Sequence, residues 1–177
     1  MLNDLLKKRR SIRLFQDKKI EEEKIREILQ AGLYAPSGMR RNPWEFVVLS
    51  DPEDMKKAAL AKKDQPVFED KGSHIILILT DHVASNTYIE DSAIVATIMQ
   101  LKIAELGLGS CWVQLRQRST PSIADSEAYL RKTFNIPDQF SICQMLVLGY
   151  PGEDKGEKEA ASFEKKVHFN SYKQNEV

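Results

Sequence analysis

Cysteine is scarce in this chain. Only Cys111 and Cys143 occur in 177 residues, each inside an apolar run and neither in a CxxC pair. That excludes a disulfide scaffold and a thiolate metal centre, and both read as buried, reduced thiols. His74, His82 and His168 lie far apart with no acidic partner at ligand spacing, so no metal site is expected. An excess of one charge is also missing. Lys plus Arg and Asp plus Glu both total 26, so no overall field draws the protein onto nucleic acid or an anionic membrane, and neither is expected as a partner. No apolar run approaches the length of a membrane span or the pattern of a secretory leader, which predicts a cytoplasmic protein. GxGxxG and Walker-type phosphate loops are absent. Ser37 before Gly38 lacks the flanking glycine of a hydrolase elbow, so nucleophilic catalysis has no support.

What is present suits one domain spanning 1–177, with 42% hydrophobic residues to build a core. "MLNDLLKKRR" carries Leu2, Leu5 and Leu6 at helical spacing, with its basic residues at the end that the helix dipole favours. "IEEEKIREILQAGLYAPSG" puts Ile25, Ile28, Leu29 and Gly32 on one face, behind a first turn loaded with glutamate. "EFVVLSD", "HIILILTD", "SCWVQ" and "SICQMLVLGYP" read as buried strands. "PEDMKKAALAKK" reads as a surface helix. "SAIVATIMQLKIAELGLG" is apolar almost all round and stops at Gly107, which predicts a helix buried on every side. "TPSIADSEAYLRKTF" is expected to be a helix opened by Thr120 and Pro121. The charged segment 152–166 should run over the surface, and "VHFNSY" after it offers a patch that can dock again. Alternating helices and strands favour an α/β layered fold when taken alone, although periodicity does not fix strand direction.

Two stretches concentrate potential ligand groups. In "RRSIRLF" (9–15), Arg10, Ser11 and Arg13 follow the first helix, and extended alternation would place Ser11 and Arg13 on one side and Arg10 on the other. Guanidinium forks and a hydroxyl suit phosphate, and a planar cation can also face a conjugated carbonyl. The plain alternative is a solvated helix end. In "APSGMRRNPW" (35–44), Pro, Ser, Gly and Asn force a sharp turn with exposed amides. The plain alternative there is a connecting loop anchored by Trp44.

"RRSIRLF", "APSGMRRNPWEFVVL", "EDSAIVATIMQLKIAELGLGSCWV" and "LVLGYP" occur in the order and spacing of the nitroreductase family of flavin enzymes, which the chain resembles over roughly residues 3–172. The resemblance implies an α+β fold, with a mostly antiparallel central sheet flanked by helices in an intertwined homodimer. It therefore replaces the parallel sheet that alternation favoured. It also implies bound FMN, with NADH or NADPH as co-substrate and a small nitroaromatic, quinone or enone as acceptor. By position, Arg9 resembles the family's phosphate arginine, Arg10 its neighbour along the FMN tail, and Ser11 the hydroxyl at the phosphate and ribityl end. Arg13 stands where the family places a cation over the pyrimidine edge of the flavin, whose reduction leaves negative charge there. Pro36, Ser37 and Gly38 resemble the loop that reaches the flavin from the other subunit, and Trp112, Val113 and Gln114 the strand end along the ring. Where the family often has Asn-x-Gln-Pro-Trp, this chain has Arg40-Arg41-Asn42-Pro43-Trp44, so a larger cation replaces an amide at position 40. For the late basic residue at the phosphate, the nearest register offers Lys158, with Lys165 and Lys166 as alternatives.

In such an enzyme the flavin carries the chemistry, which accounts for the lack of a catalytic dyad. Aromatic residues at 8% and the short 107–121 loop predict an open pocket. The alternatives are a flavin protein that stores or senses FMN, and a family member that dehalogenates or fragments flavin. A further alternative is a small α/β binding domain with an anion patch.

Overall fold

The computed structural model describes residues 2–62 and 72–172. Its helices are α1 (Leu2–Lys8), α2 (Glu22–Leu33), α3 (Pro52–Leu60), α4 (Tyr88–Glu105), α5 (Ser126–Thr133) and α6 (Phe163–Lys166). Its strands are β1 (Trp44–Leu49), β2 (His74–Asp81), β3 (Gly109–Gln114) and β4 (Phe140–Gly149). The strands form one sheet in the order β1-β2-β4-β3 with every pair antiparallel. This is the α+β arrangement.

Branched and apolar residues cover both sides of the two central strands. Ile75, Leu77, Leu79, Met145 and Val147 face Ala58 of α3 and Leu130 of α5. Ile76, Ile78, Leu146 and Leu148 face Ile25 and Ile28 of α2 and Val95, Met99 and Ile103 of α4. All ten residues of β4 are buried. An antiparallel sheet covered on both faces produces the continuous apolar runs usual in parallel sheets. That is why the strand patterns could not correct the α/β fold that the alternation of elements favoured.

One element reading needs correction, and a second is met only in part within a single protomer. The helix expected from Thr120 begins only at Ser126, because Asp125 caps it by accepting from the amides of Glu127 and Ala128. Thr120 instead closes a tight bridge with Ile123. The long apolar helix α4 is not covered on every side within the protomer. Glu90, Ile94 and Thr97 are exposed and Leu101 is half-buried, at helical spacing along one face. The surface helix is found as α3, and Lys63 at the end of its expected range lies outside the described residues. No helix among the described residues is long and apolar enough to cross a membrane.

Candidate functional site

The "RRSIRLF" segment leaves α1 and crosses the end of the sheet. Ser11 bridges Ser110 at the start of β3, and the Ile12 amide donates to the Ser110 carbonyl at 2.9 Å. The Gln16 amide donates to the Tyr150 carbonyl at 2.9 Å, beyond β4. Ile12 and Phe15 are the buried pegs. Gly149 is required for the second of them, since a Cβ there would lie 2.8 Å from Cδ1 of Phe15.

The turn after β4 grips this segment from the other side. Arg10 donates to the carbonyls of Lys155 at 2.6 Å and Gly156 at 3.1 Å. Lys155 Nζ donates to the Ser11 carbonyl at 3.0 Å. Oε1 of Glu153 accepts from the amides of Arg13 at 2.6 Å and Leu14 at 3.2 Å. These amides, first that of Arg13, together with Lys155 hold the Glu153 carboxyl below the usual carboxylate range. The Lys158 amide donates to the Lys7 carbonyl at 3.0 Å, which sets Lys158 beside the end of α1.

Between the segment and the turn lies a cleft of about 170 Å³, lined by Lys8, Arg9, Arg10, Gln100, Ser110 and Lys155 among others. Its acidic residues are engaged: Glu153 by the two amides, Asp154 by the Gly156 amide at 2.8 Å. The guanidinium of Arg9 has no hydrogen-bond or ion-pair partner among the described residues, and neither has that of Arg13. Arg10 and Arg9 thus line one cleft, but the Arg10 fork is spent on backbone carbonyls. Burial pushes the nearby Cys111 thiol up, against the pull of Arg13 and Lys155. The donor set fits a phosphate monoester, while the volume is below the 300–1,000 Å³ typical of a whole organic ligand.

The "APSGMRRNPW" loop is built as tightly as its composition requires. Met39, Arg40 and Asn42 have φ of 53°, 56° and 46°. Ser37 Oγ accepts from the Asn42 amide at 2.9 Å and donates to Asn42 Oδ1 at 3.1 Å. Arg41 donates to the Ala84 carbonyl at 3.0 Å. The Gly38 amide donates to Oδ1 of Asp91 at 2.9 Å, while Ser85 and Thr87 hydroxyls donate to its Oδ2 at 2.9 and 3.0 Å. Asp91 is 1% exposed. Position 38 admits only glycine without a shift, because a Cβ would lie 2.2 Å from Thr87 Oγ1. Pro36 and Arg40 are exposed, and Arg40 has no side-chain partner among the described residues.

On β3, Trp112 Nε1 donates to Gln114 Oε1 at 3.1 Å. Trp112 packs on the α2/α4 side of the sheet, whereas Val113 is buried on the α3/α5 side and can offer a ligand only its backbone. Lys165 and Lys166 belong to α6, on an arm whose residues 157–167 and 169–172 are exposed. "VHFNSY" does not dock on the body of its own chain: Phe169 and Tyr172 are 69% and 80% exposed. Among the described residues, the Phe163 ring meets that of Phe169 and the His168 ring that of Tyr172, all within the arm.

The expected site residues are therefore divided. The arginine cleft takes in Gln100 and Ala104, near the C-terminal end of α4, while the 36–42 loop hangs on Asp91 at its N-terminal end. From Asp91 to Ala104 the helix rises about 20 Å at ~1.5 Å per residue. Glu153, Lys155, Gln100 and Asp91 were not singled out in the sequence. Glu153 and Lys155 fall there in the charged surface segment 152–166, and Asp91 just ahead of the apolar helix.

Comparison with known proteins agrees with this architecture. The model of the family described as "Nitroreductase family" matches residues 6–75 and 61–150. A protein of Archaeoglobus fulgidus, with the provisional name NADH dehydrogenase/NAD(P)H nitroreductase, is 30% identical over 155 residues, covering 86% of each chain. An FMN-dependent nitroreductase of Clostridium difficile R20291 superposes with a TM-score of 0.88 at 35% identity, over 95% of this chain and 98% of its own. Iodotyrosine deiodinase 1 of mouse is 45% identical over 53 residues, 30% of this chain and 18% of its own. With the antiparallel sheet and the order of its segments, these matches establish that the chain belongs to the nitroreductase family of oxidoreductases.

Proposed function

We propose that this protein is an FMN-dependent NAD(P)H oxidoreductase that reduces small acceptors such as nitroaromatics, quinones or enones, and that it works in the cytoplasm as a homodimer. The observation that carries this reading is the Arg9 guanidinium, without a partner among the described residues, in a cleft whose own carboxylates already accept hydrogen bonds. A cation with no hydrogen-bond or ion-pair partner among the described residues suits a bound anion. The name of the C. difficile neighbour, which shares the fold at 35% identity, supports FMN as that anion.

Arg9, Ser11 and one late lysine would hold the phosphate, with Lys158 favoured by its backbone tie to Lys7. Lys165 and Lys166, on the exposed arm, would serve the partner's site if they serve any. Arg10 acts by fastening the turn rather than by touching the ligand. When bound, FMN supplies hydride transfer between nicotinamide and acceptor. Around it, Arg13 stabilises negative charge, Trp112 and the backbone of Val113 wall the ring, and Gln114 offers its amide. No residue is assigned as a proton donor.

The cleft is too small for a whole flavin, and the two sets of site residues lie at opposite ends of α4. A two-fold axis across α4 would bring the N-terminal end of one copy to the C-terminal end of the other. The partner's Pro36–Arg40 loop would then complete each site. The same pairing would cover Ile94, Thr97 and Leu101 and give the exposed arm a surface.

Purified protein is expected to be yellow, and NADH or NADPH added under argon should bleach the flavin band. Yellow protein that neither nucleotide bleaches would leave an FMN-storing or sensing protein. Reductive dehalogenation is the second catalytic reading, favoured by the 53-residue match to the deiodinase. It predicts halide release from a halophenol by the reduced protein.

A further inference from the structure

The turn after β4 places a carboxylate where an anion-binding site has least use for one. Glu153 lies in the wall of the arginine cleft, and a negative charge there opposes both the phosphate and the electrons of a reduced flavin. Its contacts suggest what offsets that cost. One oxygen, Oε1, accepts from two successive backbone amides, those of Arg13 and Leu14, and lies 3.3 Å from Lys155 Nζ. Lys155 in turn holds the carbonyl of Ser11. The backbone on both sides of Arg13 is therefore fixed by side chains of the turn, while the Arg13 guanidinium itself is left without a partner among the described residues. Neighbouring backbone bonds fix only the path of the chain: Ile12 amide to Ser110 carbonyl, and Gly152 amide to Leu14 carbonyl at 2.8 Å. The orientation of the peptides on either side of Arg13, 12–13 and 13–14, rests on Glu153.

We propose that Glu153 is the positioning residue that aims Arg13 at the flavin, acting through the backbone and not by contact with the ligand. The inference rests on the reading of Arg13 as the cation facing the reducible ring. It yields opposite signs for two effects that a single truncation mixes. Removal of a negative charge near the ring should by itself raise the flavin's reduction potential, because the reduced form is the more anionic. Loss of Arg13's aim should lower it.

The test is the midpoint potential of the FMN-loaded protein, measured by equilibration with a reference dye. E153Q keeps a carbonyl oxygen that accepts from both amides and discards only the charge, so its potential should stay level or rise. E153D keeps the charge but withdraws the acceptor by one methylene, so its potential should fall, as should that of E153A. In an R13A background no guanidinium is left to aim, and the fall on adding E153A should vanish or reverse. E153D secures the result if E153A does not fold. A rise in E153A equal to that in E153Q, an unchanged E153D, or the same downward shift with and without Arg13 would overturn the assignment. Those outcomes leave the flavin reading intact. A wild-type protein that takes up no FMN overturns both.

Discussion

Two carboxylates organise the two stretches proposed to build the site, and they do so in opposite ways. Asp91 is sealed from water and faces neutral donors only: one backbone amide and two hydroxyls. Glu153 lies at the rim, with its side chain 20% exposed, and shares its oxygen between two amides and a lysine. A buried charge satisfied by oriented dipoles is costly to disturb, because each donor left behind is also buried. A rim charge has water as an alternative partner. The loop half is thus fastened at Asp91 and, through Arg41, at the Ala84 carbonyl, and the arginine half through Arg10, Lys155, Glu153 and the Lys158 amide.

The sharpest way to break that contrast is D91A. It strands the Gly38 amide and the Ser85 and Thr87 hydroxyls, and a loss of about 3 kcal/mol is expected, a fall of roughly 6–12 °C in Tm for a chain of this size. Calorimetry checks it. The loop should loosen along with the fold, so the flavin should be lost as well. A Tm within two or three degrees of wild type would mean that the loop does not depend on Asp91.

Arg9 and Arg10 sharpen the comparison from the other half. R9A removes a charge with no partner among the described residues, so FMN affinity should fall about 10- to 100-fold, the equivalent of ~1.5–3 kcal/mol for a charge-assisted hydrogen bond, with Tm of the flavin-free protein unchanged. R10A breaks the bonds to Lys155 and Gly156, so it should lower that Tm and reduce affinity only in proportion to the damaged turn. Titration calorimetry beside thermal melts separates the two. Equal losses of affinity with equal melts would refute the division between a ligand-facing and a structural arginine.

The legible parts of this protein were those written in local patterns. The apolar runs at 74–81 and 141–149 and the helical faces of Ile25, Ile28 and Gly32 became core elements almost residue for residue. Thr120 misled because it has a cap residue's chemistry, yet Asp125, five residues on, caps more directly ahead of the α5 face. Strand direction was illegible because both faces of the sheet are covered, which erases the alternation that marks an antiparallel strand. Ser37, Gly38 and Arg13 stood out by residue type. Asp91 and Glu153 did not, since each grips a backbone amide far away in sequence, 53 positions for Asp91 and 140 for Glu153, and only the folded chain brings these together.

The smallest expected effect lies at the rim. The carboxyl of Glu153 is lowered in the folded chain, mainly by the Arg13 amide, so the folded state favours its charged form. Its contribution to stability is therefore complete above the unfolded carboxyl value of about 4.3 and is lost as pH falls through the depressed folded value. Exposure to water keeps this small, and a Tm difference between wild type and E153Q of only a degree or two is expected at pH 7. That gap should close progressively as pH falls below the unfolded carboxyl value and through the depressed folded one, in melts at constant ionic strength. A gap that widened on acidification would reverse the sign of the linkage, and with it the claim that the two amides grip the ionised form.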